Sequence, residues 1–347
     1  MAFNLPDLPH EIPIPEDVPV IDVGKLKMMD SSNQGPSNDS EKVCEKGKEV
    51  FVLREKLNIH TENQQKMFRK EVTLLRSINH ENIIKFHSIV RINDSLHSSL
   101  ALLMEYAAFD FSLLGKDYKI SSLAEFLSYL DRVSFDKFEH FNAFIAKDVA
   151  SGLDYLHKKD IVHRDLKPSN IRVSNQHYSR LGEAGFKENW DARPIVAKLT
   201  DFGEARGKII ETATEASTMT DIVDRGSAAF RAPEVICGDI FTASREDLKH
   251  IDVWSFGMLL FVLLNPDLQY PYEVELRENS RQHKKVMLEL TLRELMKQQK
   301  NPRHSVKYQN KRENAWSKIV TVYEACAKFR VEERPTMKQV LDKYFLA

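Results

Sequence analysis

Apolar positions recur along this chain in two periods. Leu100 to Glu105, Ile171 to Val173 and Ile195 to Leu199 are short apolar runs that predict buried strands. Val50, Phe51 and Val52, followed by Leu53-Arg54-Glu55-Lys56, predict a further strand over Glu49 to Leu57. Phe141, Phe144, Ile145, Val149, Leu153 and Leu156 return at helical intervals and predict a long helix with one buried face. Met67, Val72, Leu75 and Ile78 predict another, with Thr61 and Gln64 at capping-box spacing ahead of it. The longest purely apolar run, Met258 to Leu264, predicts a buried helix opened by Asp252-Val253-Trp254-Ser255-Phe256-Gly257. That run is too short to span a bilayer.

Between these elements the pattern lapses in three places. Residues 1–20 carry Pro6, Pro9, Pro13, Pro15 and Pro19, a density that excludes helix and predicts an extended strap. Residues 30–48 are rich in Ser, Asn, Asp, Lys and Gly and predict a mobile loop. From Asn175 to Arg193 runs a polar stretch containing Tyr178, Phe186 and Trp190, which reads as an insertion, either a tolerated surface loop or an interaction element. Residues 271–314 are basic and predict solvated helix faces and loops, with a docking surface for an acidic partner as the alternative.

Composition narrows the class. With 347 residues, 42% hydrophobic and 29% charged, the chain is globular and long enough for one two-part domain or two ordinary ones. A formal net charge of −1 gives no electrostatic case for a nucleic acid or a membrane surface as partner. Cys44, Cys237 and Cys326 share no metal-ligand spacing and are expected to be reduced thiols of an intracellular protein. No basic-then-apolar signal opens the chain. The expected compartment is the cytoplasm, with the nucleus also open to a soluble chain of this kind.

The densest chemistry lies in His163-Arg164-Asp165-Leu166-Lys167-Pro168-Ser169-Asn170, between a predicted helix and a predicted strand. A carboxylate, two cations and a carboxamide sit within eight residues. Asp165 is placed to accept a proton from a hydroxyl nucleophile, Lys167 to sit against a transferring phosphoryl group, and Asn170 to offer a hard oxygen to Mg²⁺. In this order the eight residues are similar to the catalytic loop of protein kinases, and the chain resembles that family.

The resemblance covers residue 49 to the end. It implies an α+β, two-lobed fold: a small, mainly β N-lobe with one helix and a larger, mainly α C-lobe. The implied divisions are 1–48 for the strap and the divergent front of the N-lobe, 49–106 for the N-lobe, and 107–347 for the C-lobe. It implies ATP and Mg²⁺ as cofactors. Asp201, in Thr200-Asp201-Phe202-Gly203, would chelate Mg²⁺ together with Asn170, and Asp165 and Lys167 would be catalytic. Arg54 and Glu71 would position the nucleotide. Tyr106-Ala107-Ala108 looks like the hinge, with Met104, Glu105 and Ala107 beside the nucleotide. Asp252 would hold the catalytic loop by its backbone.

Ala232-Pro233-Glu234 and Arg334 resemble the family's buried ion pair. Gly226-Ser227-Ala228-Ala229-Phe230 and Lys167 resemble serine/threonine kinases, which implies a protein substrate. Thr212, Thr214, Ser217, Thr218 and Thr220 offer hydroxyls for an upstream activating kinase, with Arg164 as a phosphate partner. The same hydroxyls also fit a flexible loop that they merely keep soluble. Cys326 to Pro335 looks like the tyrosine-kinase-like groups or the lymphokine-activated killer T-cell-originated kinases.

The front edge departs from the family pattern. Ser32 to Ser37 holds one glycine where three are expected. Arg54 stands at the usual lysine position, and its broad fork is not equivalent to an ammonium. Lys56, on the same face about 6.6 Å further along, and Lys42 on the preceding strand, as in the with-no-lysine kinases, are alternatives. Two function classes follow: an active Mg-ATP-dependent protein serine/threonine kinase, or a pseudokinase scaffold. The intact Asp165, Asn170 and Asp201 favour the first.

Overall fold

The computed structural model describes residues 18–29, 41–46, 49–56, 62–93, 98–133, 138–178, 190–203, 205–207, 228–238, 245–280 and 286–346. The first 17 residues of the strap, Ser32 to Ser37, Thr61, residues 179–189, the hydroxyls from Thr212 to Thr220, and Gly226 with Ser227 lie outside them. The chain divides into two compact units, one ending at Asn79 and resuming from Lys85 to Tyr106, the other comprising His80–Ile84 and the chain from Ala107 onward.

The first unit is a six-stranded sheet with one helix. Its strands are β1 (Val20–Asp22), β2 (Lys27–Met28), β3 (Glu41–Lys46), β4 (Glu49–Lys56), β5 (Phe86–Asn93) and β6 (Ser98–Glu105), in the order β1-β5-β6-β4-β3-β2. The helix α1 spans Glu62–Ser77. Alternation along β4 sends Phe51 and Leu53 into one apolar cluster with Leu26, Cys44, Val90, Ala101 and Leu103, and leaves Val52 and Arg54 on the other face.

The strap does not end where its prolines do. Pro19 carbonyl accepts from Ile89 N–H at 3.0 Å, and Val20–Asp22 then pairs in parallel with Ile89–Arg91. Strands β1 and β2 therefore lie at opposite edges of the sheet although only five peptide steps separate Asp22 from Lys27. Five steps reach about 17 Å, whereas five inter-strand spacings of a flat sheet span about 24 Å. The sheet must curl until its edges approach, and Leu26 is buried in the cluster at that closure.

Two sequence expectations shift in register. In α1 the buried stripe is Phe68, Val72 and Leu75, and Met67 is exposed. The 68-72-75 spacing holds one helical face, whereas residue 67 falls about 100° away from its neighbour. The apolar helix expected to open at Asp252 instead begins at Arg245 and runs to Leu263, so Asp252 is an interior helical residue. The first two turns, Arg245 to Ile251, are mostly charged or polar, and Leu248 and Ile251 are the apolar positions that continue the helix toward its start.

The second unit is mainly helical. Strands β7 (Phe109–Asp110) and β8 (Lys119–Ile120) pair, helix α2 spans Leu123–Arg132 and helix α3 spans Phe141–Lys158. Strand β9 (Ile161–Val162) leads to β10 (Ile171–Ser174), which pairs antiparallel with β11 (Val196–Leu199). Helices α4 (Pro233–Cys237) and α5 (Arg245–Leu263) follow, then helices at Glu273–Ser280, Val286–Lys297 and Ser317–Cys326. Within residues 271–314, Tyr272, Leu276, Leu292, Met296 and Tyr308 are buried, so that stretch is packed as well as solvated. At Gly152 an added Cβ would stand 2.9 Å from Leu199 and 3.0 Å from the Asn82 carbonyl, so glycine lets α3 approach β11 closely. All three cysteines are free thiols, and burial pushes Cys44 up to about 11. Among the described residues no helix is long and apolar enough to cross a membrane.

Candidate active site

The catalytic-loop candidates are assembled by three elements of the second unit. Helix α3 delivers the chain to β9, and the loop from His163 to Lys167 closes in a single 3₁₀ turn, Pro168–Asn170, before β10. Pairing of β10 with β11 brings Leu199 opposite Ile171, and Thr200 N–H donates to the Asn170 carbonyl at 3.0 Å. Asp201 is therefore the next residue beyond the ladder end that carries Asn170. Arg164 and Asp201 both take left-handed backbone, with φ of 70° and 64°. For a non-glycine residue this costs about 1–2 kcal/mol, and such strain concentrates where a side chain must be aimed.

Asp252 fixes the loop from below. Its carboxylate accepts from His163 N–H and Arg164 N–H, each at 2.8 Å, and lies 2.9 Å from His157 Nε2. It is wholly buried. Burial alone would raise its pKa, but the His157 hydrogen bond, the nearby His157 and His163 and the Arg164 amide outweigh that and hold it below the ordinary carboxylate value. His163 is also fully buried; its Nε2 donates to the Thr200 carbonyl at 3.1 Å, so Nδ1 is the acceptor facing Asp165 N–H at 3.3 Å. One imidazole thus joins the loop of Asp165 to the residue before Asp201, and its ring packs 5.2 Å from Phe202. Sequence reasoning passed over His157 and the His163 ring, whose only signal is their spacing from Asp165.

Around Asp165 the polar groups converge. Asn170 Nδ2 donates to the Asp165 carbonyl at 2.7 Å and to its Oδ2 at 2.8 Å, and Lys167 Nζ lies 3.0 Å from the same Oδ2. Because its amide is committed to Asp165, Asn170 is left with its carbonyl oxygen as the free lone-pair end. That oxygen and the Asp201 carboxylate are hard oxygen donors carried at the same end of the β10–β11 ladder. Among the described residues no group of three or more His, Cys, Asp or Glu side chains could hold a metal alone. Two protein oxygens suit Mg²⁺, which binds through one or two carboxylates and completes its shell with water and phosphate.

The remaining candidates divide between the units. In the first unit, Arg54 lies on β4 in register with Leu102 and Glu41, Glu71 lies on α1, and Met104 is buried opposite Val52. Lys56 is in register with Leu100, and Lys42 with Leu53. Glu105 N–H donates to the Lys85 carbonyl at 2.8 Å while its Oε2 accepts from Lys85 N–H at 3.2 Å, which ties the end of β6 to the start of β5. Ala107 is a buried residue of the second unit. Beyond the loop, Ala228, Ala229 and Phe230 are buried, and Ser255 Oγ of α5 donates to the Phe230 carbonyl at 2.9 Å.

Comparison with known proteins bears on the family of the chain. The chain is 31% identical over 235 residues to Aurora kinase of Saccharomyces cerevisiae, covering 67% of this chain and 49% of that protein. It is 30% identical over 221 residues to a probable serine/threonine-protein kinase of Dictyostelium discoideum, covering 63% of this chain and 19% of that protein. It is 35% identical over 131 residues to MAP kinase-interacting serine/threonine-protein kinase 2 of Xenopus laevis, covering 36% and 25% respectively. The chain thus spans half or less of the length of the curated relatives it matches. The family model described as protein kinase domain matches residues 34–346, and the chain belongs to that family.

Proposed function

We propose that this chain is an active protein serine/threonine kinase that transfers the γ-phosphoryl group of ATP to a hydroxyl of a protein substrate. The carrying observation is the Asp165 carboxylate, held at once by Asn170 and Lys167 on a loop whose backbone Asp252 clamps. In this reading Asp165 orients the substrate hydroxyl and takes its proton as the oxygen–phosphorus bond forms and the bond from the γ-phosphorus to the β,γ-bridging oxygen breaks, with ADP as leaving group. Lys167 steadies the charge on the transferring group. Asn170 and Asp201 would hold Mg²⁺, which when bound would neutralise phosphate charge. Arg54 and Glu71 position the phosphates, while Met104, Glu105 and Ala107 line the nucleotide's base. The charge at Arg54 supports this role, although a guanidinium presents it as a broad fork.

Several parts of the reading concern residues outside those described. Activation by an upstream kinase at a hydroxyl between Thr212 and Thr220 is one, and the part played by the single-glycine stretch 32–37 at the nucleotide edge is another. We take 1–48, 49–106 and 107–347 as portions of one catalytic domain. The cytoplasm is its proposed compartment.

The test is transfer of labelled phosphate from Mg-ATP to the chain itself and to generic basic proteins, with Asp165→Asn, Arg54→Lys and Arg54→Ala alongside. Signal on serine or threonine that vanishes in Asp165→Asn supports the kinase. Equal silence of wild type and Asp165→Asn, with the activation segment phosphorylated, sinks it in favour of a scaffold.

A further inference from the structure

Residues 175–193, a tolerated loop by sequence, have both ends built into the second unit. Asn175 is 1% exposed and makes a reciprocal pair with the backbone of Asp110. Asp110 N–H donates to Asn175 Oδ1 at 2.8 Å, and Asn175 Nδ2 donates to the Asp110 carbonyl at 3.0 Å. The Ala108 carbonyl accepts from Asn175 N–H at 3.3 Å and from Gln176 Nε2 at 3.2 Å. A carboxamide offers one donor and one acceptor in the geometry of a peptide, so Asn175 serves β7 as a strand partner would on the edge that β8 does not occupy.

The insertion is also closed at its base. Tyr178, 2% exposed, donates its hydroxyl to the Arg193 carbonyl at 2.8 Å, and His177 Nε2 lies 2.8 Å from the same oxygen. The Trp190 ring then packs among Phe141, Tyr178 and Phe109, with centroids 5.6, 6.0 and 6.3 Å away. Ala108 and Asp110 are held by hydrogen bonds from Asn175 and Gln176, and Trp190 adds one edge contact to a Phe109 ring that Phe111, Phe126 and Phe141 pack more closely. These three residues directly follow Ala107.

We propose that Asn175 and Gln176 are positioning residues for the nucleotide, fixing Ala108–Asp110 and hence the peptide of Ala107, so that the insertion sets ATP affinity. The proposal rests on the reading above, in which Ala107 meets the nucleotide base. A site that is only fractionally in its competent conformation binds more weakly in proportion to that fraction. Loosening the segment should therefore act on binding and spare the chemical step.

The experiment measures KM for ATP, kcat at saturating ATP, and melting temperature for Asn175→Ala, Gln176→Ala and Trp190→Ala in the full chain. Mg-ATP binding by calorimetry runs alongside. Loss of the reciprocal pair in Asn175→Ala should raise KM about five- to tenfold, and Gln176→Ala about two- to threefold, with kcat within about twofold. A merely structural role would lower melting temperature and active fraction and leave KM where it is. Unchanged KM in Gln176→Ala and Asn175→Ala overturns the inference; should Asn175→Ala not fold, Gln176→Ala decides alone. If wild type binds no Mg-ATP, the kinase reading falls and takes this inference with it. If wild type binds and the variants bind equally, only the inference falls.

Discussion

Arg334 and Glu234, 100 residues apart, meet as a bidentate ion pair with Nη1–Oε1 at 2.7 Å and Nη2–Oε2 at 2.8 Å. The guanidinium is fully buried. Its other protons reach the carbonyls of Lys328, His250 and Phe329, and it lies 5.2 Å over the Trp254 ring. Every donor is used, which is the condition under which a buried pair repays its desolvation. Glu234→Ala leaves the guanidinium buried without a counter-charge and should destabilise the second unit by about 3–5 kcal/mol. Thermal melts followed by circular dichroism check this, and a melting point equal to wild type would show that water reaches the site.

Asn170 grips Asp165 through one amide, so its removal should free the carboxylate without unfolding the loop that Asp252 holds. Asn170→Ala and Asp165→Asn should each lower kcat by about 10²–10⁴-fold, with melting temperatures near wild type. Steady-state phosphate transfer with a peptide pool checks it. Activity that survives either change would remove these residues from the chemistry.

Asp148 on α3 accepts from Ala197 N–H at 2.8 Å and faces Arg193 at 3.5 Å, yet burial pushes its carboxyl up to about 6. Below about pH 4 it is protonated in both folded and unfolded chains. As pH rises the unfolded chain ionises first, and above 6 the fold holds a buried carboxylate at a cost of roughly 3 kcal/mol. The stability linked to neutral Asp148 is therefore present in acid and lost as pH rises through 6. Urea denaturation at pH 5, 6.5 and 8 should show Asp148→Asn gaining on wild type with pH. A constant difference would mean that Arg193 and the Ala197 amide hold the group ionised throughout.

The family match starts at residue 34, but the curled sheet starts at Val20. A chain beginning at residue 30 lacks β1, β2 and Leu26, uncovers one face of the Phe51 and Leu53 cluster and exposes the edge of β5. Leu26→Ala alone should cost about 2 kcal/mol, the lower end of buried leucine truncations, because the site sits at a sheet edge. Proteolysis kinetics of both variants measure it. Equal resistance to wild type would make the strap an appendage.

How much was legible depended on where the partners lay. Asp165, Lys167 and Asn170 sit within six residues, so their order alone was enough to recognise the family's loop. Alternation in β4 and the helical stripe of α3 needed only local period. Met67 was misplaced because one residue of register decides a helical face, and the start of α5 was missed because only Leu248 and Ile251 mark its otherwise charged and polar first turns.

The sequence by itself determined the family, the acidic and amide groups of the loop, and the partnership of Glu234 with Arg334, since each is encoded in side-chain identity. Only the tertiary structure decided that Pro19 would lead a parallel strand onto β5 and that Asn175 would complete the edge of β7. Those contacts are made to backbone N–H and C=O groups. Such groups are the same at every residue except proline, so no side-chain pattern announces them until the chain is folded.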